Sequence, residues 1–160
     1  SKANACHLPQ IDPRLTYLQQ THSQIGRGMT VLITQVYRRF SDLDPLGHVN
    51  NVVFLDYLQE ARLRVFLQLD YFEILEFIQV MVHQSIDFRH PLMYSTEPLT
   101  IEVWVSSIGN TSYSMKYRIL SEKGELCAEA ESVMVCFDKD KAVPIPEKLR
   151  TALQSILEVE

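Results

Sequence analysis

From Thr30 to Phe40 the chain reads Thr-Val-Leu-Ile-Thr-Gln-Val-Tyr-Arg-Arg-Phe. This β-branched and aromatic run predicts a strand. Ser41 to Asn51 is polar, with Pro45 and Gly47, and reads as a loop. Phe54, Leu58, Ala61 and Val65 then recur at helical spacing, flanked by Val53, Leu55, Tyr57 and Phe66. That pattern predicts a helix from about Val52 to Leu69. Its apolar stripe is too wide for a surface helix, so it should be largely buried. Gln79 to Phe88 is the next strand. Leu99, Ile101, Val103 and Val105 alternate with polar positions, as do Tyr113, Met115, Tyr117 and Ile119. Leu126 to Phe137 is a further long strand run. Gly109-Asn110 and Glu122-Lys123-Gly124 are turn signals spaced for hairpins. Pro144 and Pro146 introduce a short helix near Glu147 to Leu157.

Consecutive strands joined by short turns must be antiparallel. One face of their sheet is apolar, and the long helix is the only element able to cover it. The expected fold is therefore α+β: a five-stranded antiparallel sheet wrapped on one long helix, with a short C-terminal helix. Residues 29–160 read as that single domain. Residues 1–28, rich in Gln, His and Pro, read as an extension. Either Met29 is the start and the preceding segment lies upstream of it, or the segment is an arm packed on the domain.

At 160 residues the chain is one domain's worth and can bury a core without a metal or disulfide. The formal net charge is −5. A mildly acidic surface lacks a field for phosphate backbones, so nucleic acid is not the expected partner. Three cysteines, Cys6, Cys127 and Cys136, form no C-x-x-C pair and suggest a reduced, cytoplasmic setting. No apolar stretch is long enough to span a membrane, and the N-terminus lacks the apolar core of a signal peptide.

The densest chemistry is Asp42-Leu43-Asp44-Pro45-Leu46-Gly47-His48-Val49-Asn50-Asn51, entering the buried helix. Asn50 or Asn51 is placed to cap that helix. The helix start offers unpaired N–H groups and a positive dipole end, able to hold a developing oxyanion. A carboxylate from Asp44 folded beside it would suit acyl transfer. Other readings remain open at this point. Asp, Asn, Pro and Gly are also plain turn formers. A calcium loop fails at Leu46 and at Val53, where a bidentate Glu is needed. Zinc fits poorly, with one His and no nearby Cys.

These residues, followed by Phe54, Tyr57, Glu60-Ala61-Arg62 and Phe66, closely resemble the hydroxybenzoyl-CoA thioesterase-like branch of the hot-dog superfamily. Ile86-Asp87-Phe88-Arg89-x-Pro91-Leu92, Gly109-x-x-Ser112 and Tyr117 follow in the family's order. The resemblance implies a sheet "bun" around a helix "sausage". It implies Asp44 as catalytic carboxylate, either nucleophile or general base, and the backbone N–H near Asn51 as oxyanion donor. His48 is expected to support the loop. Asn50, Phe54, Arg89, Asn110, Thr111 and Ser112 are the expected substrate-binding positions. Phe54 replaces the family's usual Tyr, His90 and Met93 depart from commoner residues, and Asn110 stands where a cation often follows Gly109.

The resulting expectation is a cytoplasmic acyl-CoA thioesterase releasing a carboxylic acid and CoA. No metal or redox cofactor is implied. An acyl-carrier-protein thioesterase and a non-enzymatic acyl-CoA binder are the alternatives; a hot-dog dehydratase would need a different His and carboxylate motif. Homo-oligomers are expected, a dimer at least and a tetramer by packing two dimers sheet to sheet or helix to helix. Pairing is expected along the edge from Gln79 to Phe88. Glu60 and Arg62 read as a structural pair, Trp104 and Tyr117 as sheet packing, His83 as structural, and Arg89, Lys116 and Arg118 as solvated strand-face charges.

Overall fold

The computed structural model describes residues 22–24, 30–69 and 78–158. The elements are β1 (His22–Gln24), β2 (Thr30–Val36), α1 (Val53–Gln68), β3 (Ile78–Phe88), β4 (Leu99–Ile108), β5 (Ser112–Leu120), β6 (Leu126–Asp138), β7 (Lys141–Ala142) and α2 (Glu147–Gln154). One antiparallel sheet runs in the order β1-β2-β4-β5-β6-β3, with β7 on the end of β6. Five long strands match the expected set; β1 and β7 are short additions at its margins. The sheet wraps one side of α1, which is the hot-dog arrangement.

The hairpins form where the turn residues predict them. Gly109 N–H donates to Ser112 O at 2.8 Å. The Ser121 hydroxyl accepts from the N–H groups of Lys123 and Glu125, and Gly124 takes a φ of 78° that favours glycine. The first strand stops at Val36 and does not reach Phe40, because Phe40–Asp42 winds into a 3-10 turn.

α1 buries Phe54, Tyr57, Leu58, Ala61, Val65 and Phe66, chiefly against β2 and β4. Its N-cap, Val52, supplies no side-chain cap. A good cap is worth about 1 kcal/mol, whereas each large apolar side chain buried contributes roughly 1.5–3 kcal/mol. Packing, not capping, therefore holds this helix. Leu149 and Leu153 of α2, with Ile145 and Ile156, join the same core. Beyond α2 the chain runs beside β4, where Val105 N–H donates to Ile156 O.

Polar contacts correct one expectation. Glu60 pairs with Arg64 at 2.7 Å, one helical turn on, while Arg62 points to the Tyr117 hydroxyl at 3.3 Å. A spacing of two residues puts Glu60 and Arg62 on different helix faces. Tyr117 sits in the core, 2.7 Å from Ser132 Oγ. The sheet's outer face is laced with charge pairs: Arg118 to Glu102, Arg89 to Glu129 and Lys116 to Glu158. Trp104 lies there too, its indole N–H donating to Glu158 Oε2.

β3 is an edge strand, hydrogen-bonded among the described residues to β6 alone. It exposes Ile78, Val80, Met81, Val82 and Phe88, on both of its faces. His83 sits mid-strand, beside a register shift. No helix among the described residues is long and apolar enough to cross a membrane.

Candidate active site

Between β2 and α1 the chain must cross from the sheet to the helix through a short polar loop. Two buried groups fix its path. Arg38, almost fully buried, donates to Met93 O at 2.6 Å, Glu97 O at 2.7 Å and Glu122 Oε2 at 2.8 Å. It ties the loop to the segment after β3 and to the β5–β6 turn. Asp42, also buried, accepts from the Tyr57 hydroxyl at 2.6 Å and from Arg39 N–H at 2.7 Å and Nε at 2.9 Å. Burial opposes ionisation of Asp42, but the Tyr57 hydroxyl and the Arg39 contacts outweigh it and hold its pKa below the ordinary carboxylate value. Burial, and then the adjacent carboxylate, push the Tyr57 phenol well above its ordinary value.

On this foundation Asp44 to His48 forms a tight turn. Asp44 N–H donates to His48 O at 2.7 Å, and Gly47 N–H to Asp44 O at 3.0 Å. Gly47 has φ 81°, a left-handed value. Asp44 Oδ1 accepts from the N–H groups of Leu46 and His48, at 2.9 and 3.2 Å. Asp44 Oδ2 has no partner among the described residues. His48 and Val49 then lie beside Met93 and Leu92, with Val49 N–H donating to Leu92 O at 2.8 Å.

The helix start is handled by Asn50. Its Oδ1 accepts from Val52 N–H at 3.0 Å and its carbonyl from Val53 N–H at 2.9 Å. The Asn51 N–H has no partner among the described residues. Asp44, His48, Val49, Asn51, Phe54, Phe88, Arg89, His90, Pro91 and Leu92 line one cleft of about 360 Å³. Phe54 and Phe88 meet edge to face at 5.1 Å in its wall. Asp44 and Asn51, two residues before the first of α1, thus line one opening large enough for a reacting carbonyl. A groove of about 400 Å³ lies elsewhere, between α1 and the end of β2. It contains neither Asp44 nor Asn51.

Of the residues expected from sequence, Asp44, Asn51, His48, Phe54 and Arg89 come together in the cleft. Asn50 stays outside the lining and acts through the helix start. His48 contributes backbone hydrogen bonds to the turn. Arg89 is held by Glu129 at 2.9 Å. Asn110, Thr111 and Ser112 are not in this cleft. Ser112 pairs with Val135 on β6, whereas Phe88 pairs with Ala128. Seven residues of β6 separate those rows, roughly 23 Å at ~3.3 Å per residue. His83 is likewise outside the lining. Sequence reasoning missed the supporting pair Asp42–Tyr57 and the Arg38 anchor. A tyrosine on the buried stripe of the helix was the available signal, since a buried phenol needs a partner.

Cys127 and Cys136 are free and buried, and burial pushes both thiols up. Neither lines the cleft, and Cys6 lies outside the described residues. Among the described residues no three His, Cys, Asp or Glu side chains gather into a metal site.

The family model of the thioesterase-like superfamily matches residues 38–153. The chain belongs to this superfamily, a family of thioester hydrolases. The matched span contains the whole loop, α1 and every strand of the cleft. The chain is 30% identical over 130 residues to the long-chain acyl-CoA thioesterase FadM of Escherichia coli, covering 78% of this chain and 98% of that protein. It is 33% identical over 103 residues to the Bacillus subtilis protein YsmA, covering 64% of this chain and 69% of that one. A thioesterase of Thermus thermophilus, solved with coenzyme A and Zn, superposes with a TM-score of 0.68 at 31% identity, covering 78% of this chain and 92% of that one.

Proposed function

We propose that this member of the superfamily is a cytoplasmic acyl-CoA thioesterase in which Asp44 is the catalytic carboxylate. The observation that carries the reading is the pairing of Asp44 Oδ2 and the Asn51 N–H, both without partners among the described residues, on one cleft. The acyl-CoA class draws support from FadM and from the coenzyme A complex among the relatives. Free, buried Cys127 and Cys136 support a reducing compartment.

In the general-base form, Asp44 takes a proton from water as the water oxygen attacks the thioester carbon. The carbonyl oxygen becomes an oxyanion and accepts from the Asn51 N–H, strengthened by the start of α1. Collapse breaks the carbon–sulfur bond. The thiolate leaves and takes the proton from Asp44, giving a carboxylic acid and free CoA. In the nucleophilic form, Asp44 attacks the carbon itself, and the carbon–sulfur bond breaks to release the CoA thiolate. Water then cleaves the mixed anhydride to the carboxylic acid and the Asp44 carboxylate, the water's remaining proton going to the thiolate. Turn hydrogen bonds on Oδ1 aim the other oxygen in either form. Arg89, at the cleft mouth, is the cation we assign to a CoA phosphate.

The distant Asn110–Ser112 turn fits if two copies pair. Joining two β3 edges antiparallel turns the second copy end for end. That brings its Asn110–Ser112 turn toward the first copy's Asp44 cleft. The exposed apolar side chains on both faces of β3 support such a dimer. Release of free thiol from a panel of acyl-CoAs, with the same acyl groups on acyl carrier protein, tests the substrate class. Hydrolysis of acyl-CoAs is expected; turnover confined to the carrier-protein thioesters, or none with either, would reject it.

A further inference from the structure

One polar set interrupts the apolar packing between α1 and the sheet. The buried positions of β6 are Cys127, Ala128, Ala130, Ser132, Met134 and Cys136, and of these only Ser132 carries a side-chain oxygen. Its hydroxyl lies 2.7 Å from that of Tyr117 on β5, and both residues are almost wholly shielded from water. Arg62 of α1 donates from Nη1 to the same phenol oxygen at 3.3 Å, a long hydrogen bond and its one polar contact among the described residues. An arginine on a helix surface lays its stem along apolar atoms and keeps its head in water. Arg62 is partly buried instead, with its head turned inward. No carboxylate among the described residues pairs with it. A guanidinium drawn out of water without a counter-charge is costly, so packing alone does not account for it.

Two rulers place this set relative to the Asp44 cleft. Phe54, Leu58 and Arg62 recur at every fourth position of α1, which puts Arg62 ~12 Å beyond Phe54 at ~1.5 Å per residue. On the sheet, Phe88 pairs with Ala128 and Gln84 with Ser132, which separates those rows by ~13 Å at ~3.3 Å per residue. Helix and sheet agree, and both measure from the Phe54–Phe88 contact in the cleft wall. α1 packs chiefly against β2 and β4, while Ile86 and Gln84, on the Phe88 side of β3, stay partly exposed. The strip between α1 and β3 therefore leads from the cleft wall to Arg62.

We propose, building on the acyl-CoA thioesterase reading, that Arg62, braced by the Tyr117–Ser132 hydroxyl pair, binds a carboxylate at the far end of the acyl chain, so that the preferred substrates are ω-carboxyacyl-CoAs of medium length. The counter-charge that the fold omits then arrives with the substrate. A carboxylate meets the guanidinium through two parallel hydrogen bonds, which fix direction as well as charge. Tyr117 and Ser132 are positioning residues: the phenol oxygen holds Nη1, and the Ser132 hydroxyl holds the phenol. The methyl end of a plain acyl chain leaves the guanidinium unpaired and displaces its water, which is unfavourable. A hydroxyl end supplies an oxygen without the charge.

The test sets octanedioyl-, decanedioyl- and dodecanedioyl-CoA against the plain and ω-hydroxy acyl-CoAs of the same lengths. At the best length, kcat/KM for the ω-carboxy chain is expected to exceed that for the plain chain at least ~10-fold. Arg62→Met is expected to abolish that ratio, and Arg62→Lys, which keeps the charge without the fork, to keep part of it. Circular dichroism checks that both variants fold. Calorimetry on the same proteins measures binding of thioether analogues, in which a methylene replaces the thioester carbonyl and hydrolysis is impossible. A binding preference for the ω-carboxy analogue that Arg62→Met removes, with no turnover of any acyl-CoA, would uphold this inference and reject the catalytic reading. Equal binding and equal kcat/KM for ω-carboxy and plain chains, or a preference that survives in folded Arg62→Met, would overturn it. An ω-hydroxy chain that matches the ω-carboxy one would overturn the carboxylate assignment.

Discussion

Tyr57 and Asp42 each keep the other in its working form. The phenol donates at 2.6 Å to a carboxylate shielded from water, and that carboxylate anchors the turn carrying Asp44. Removing the hydroxyl leaves a buried charge short of a donor, which costs about 1–3 kcal/mol. Tyr57→Phe should therefore lower the unfolding free energy by that amount and shift the urea midpoint down with it, and an unchanged urea midpoint would refute the pairing. The pH dependence has a definite sign. Asp42 has a folded pKa below its ordinary value, so its contribution is present above about pH 4 and is lost as pH falls through the folded pKa. Tyr57 has a raised folded pKa, so its contribution is full below about pH 10 and is lost on going further alkaline. Asp42→Asn should flatten the acid limb of stability against pH; an unaltered limb would assign acid sensitivity elsewhere.

Gly47 shows how an element is set by one backbone value. Its φ of 81° closes the turn that holds Asp44, and a Cβ added there would touch nothing within 4 Å. The expected cost of Gly47→Ala is thus conformational, about 1–2 kcal/mol, with turnover reduced through misplacement of Asp44. Equal stability and turnover in Gly47→Ala would show that the left-handed value is dispensable. The long strands and α1 were legible because each carries a strong apolar pattern over seven or more residues. The end of β2 was not. Tyr37 to Phe40 continue the β-rich composition, but Arg38 is drawn to the Met93 and Glu97 carbonyls, and the chain turns at Phe40. Capping was also misread in part. Asn50 serves the helix start, yet the cap position itself falls to Val52, whose helix is held by burial. The cleft residues from Asp44 to Phe54 were readable because they are contiguous. The partnership of Asp42 with Tyr57 spans fifteen residues and depends on how the helix lies on the sheet.

At the scale of the molecule, β3 is an open edge of the sheet among the described residues, and the proposed binding set is split between the sheet's ends. A β3 edge with exposed apolar residues on both faces is a liability unless another strand covers it. In the proposed dimer, pairing β3 with β3 would cover it and bring the Asn110–Ser112 turn of one copy toward the Asp44 cleft of the other. Val82→Lys introduces a charge at the exposed middle of that strand. It should yield a smaller species that folds but has lost most turnover. Full activity in a species of about 18.5 kDa, the mass of one chain, would rule out a two-copy cleft.

The central claim is that Asp44 supplies the reacting carboxylate, and its most direct measurement is acyl-CoA turnover of Asp44→Asn beside the wild type. The substitution keeps the size of the side chain and its Oδ1 acceptor, so the turn should survive, as circular dichroism and thermal melting will check. A positioned acid or base contributes roughly 10²–10⁴-fold, so free-thiol release should fall at least 10²-fold at saturating substrate. A folded Asp44→Asn protein that hydrolyses acyl-CoA at near the wild-type rate would contradict the account.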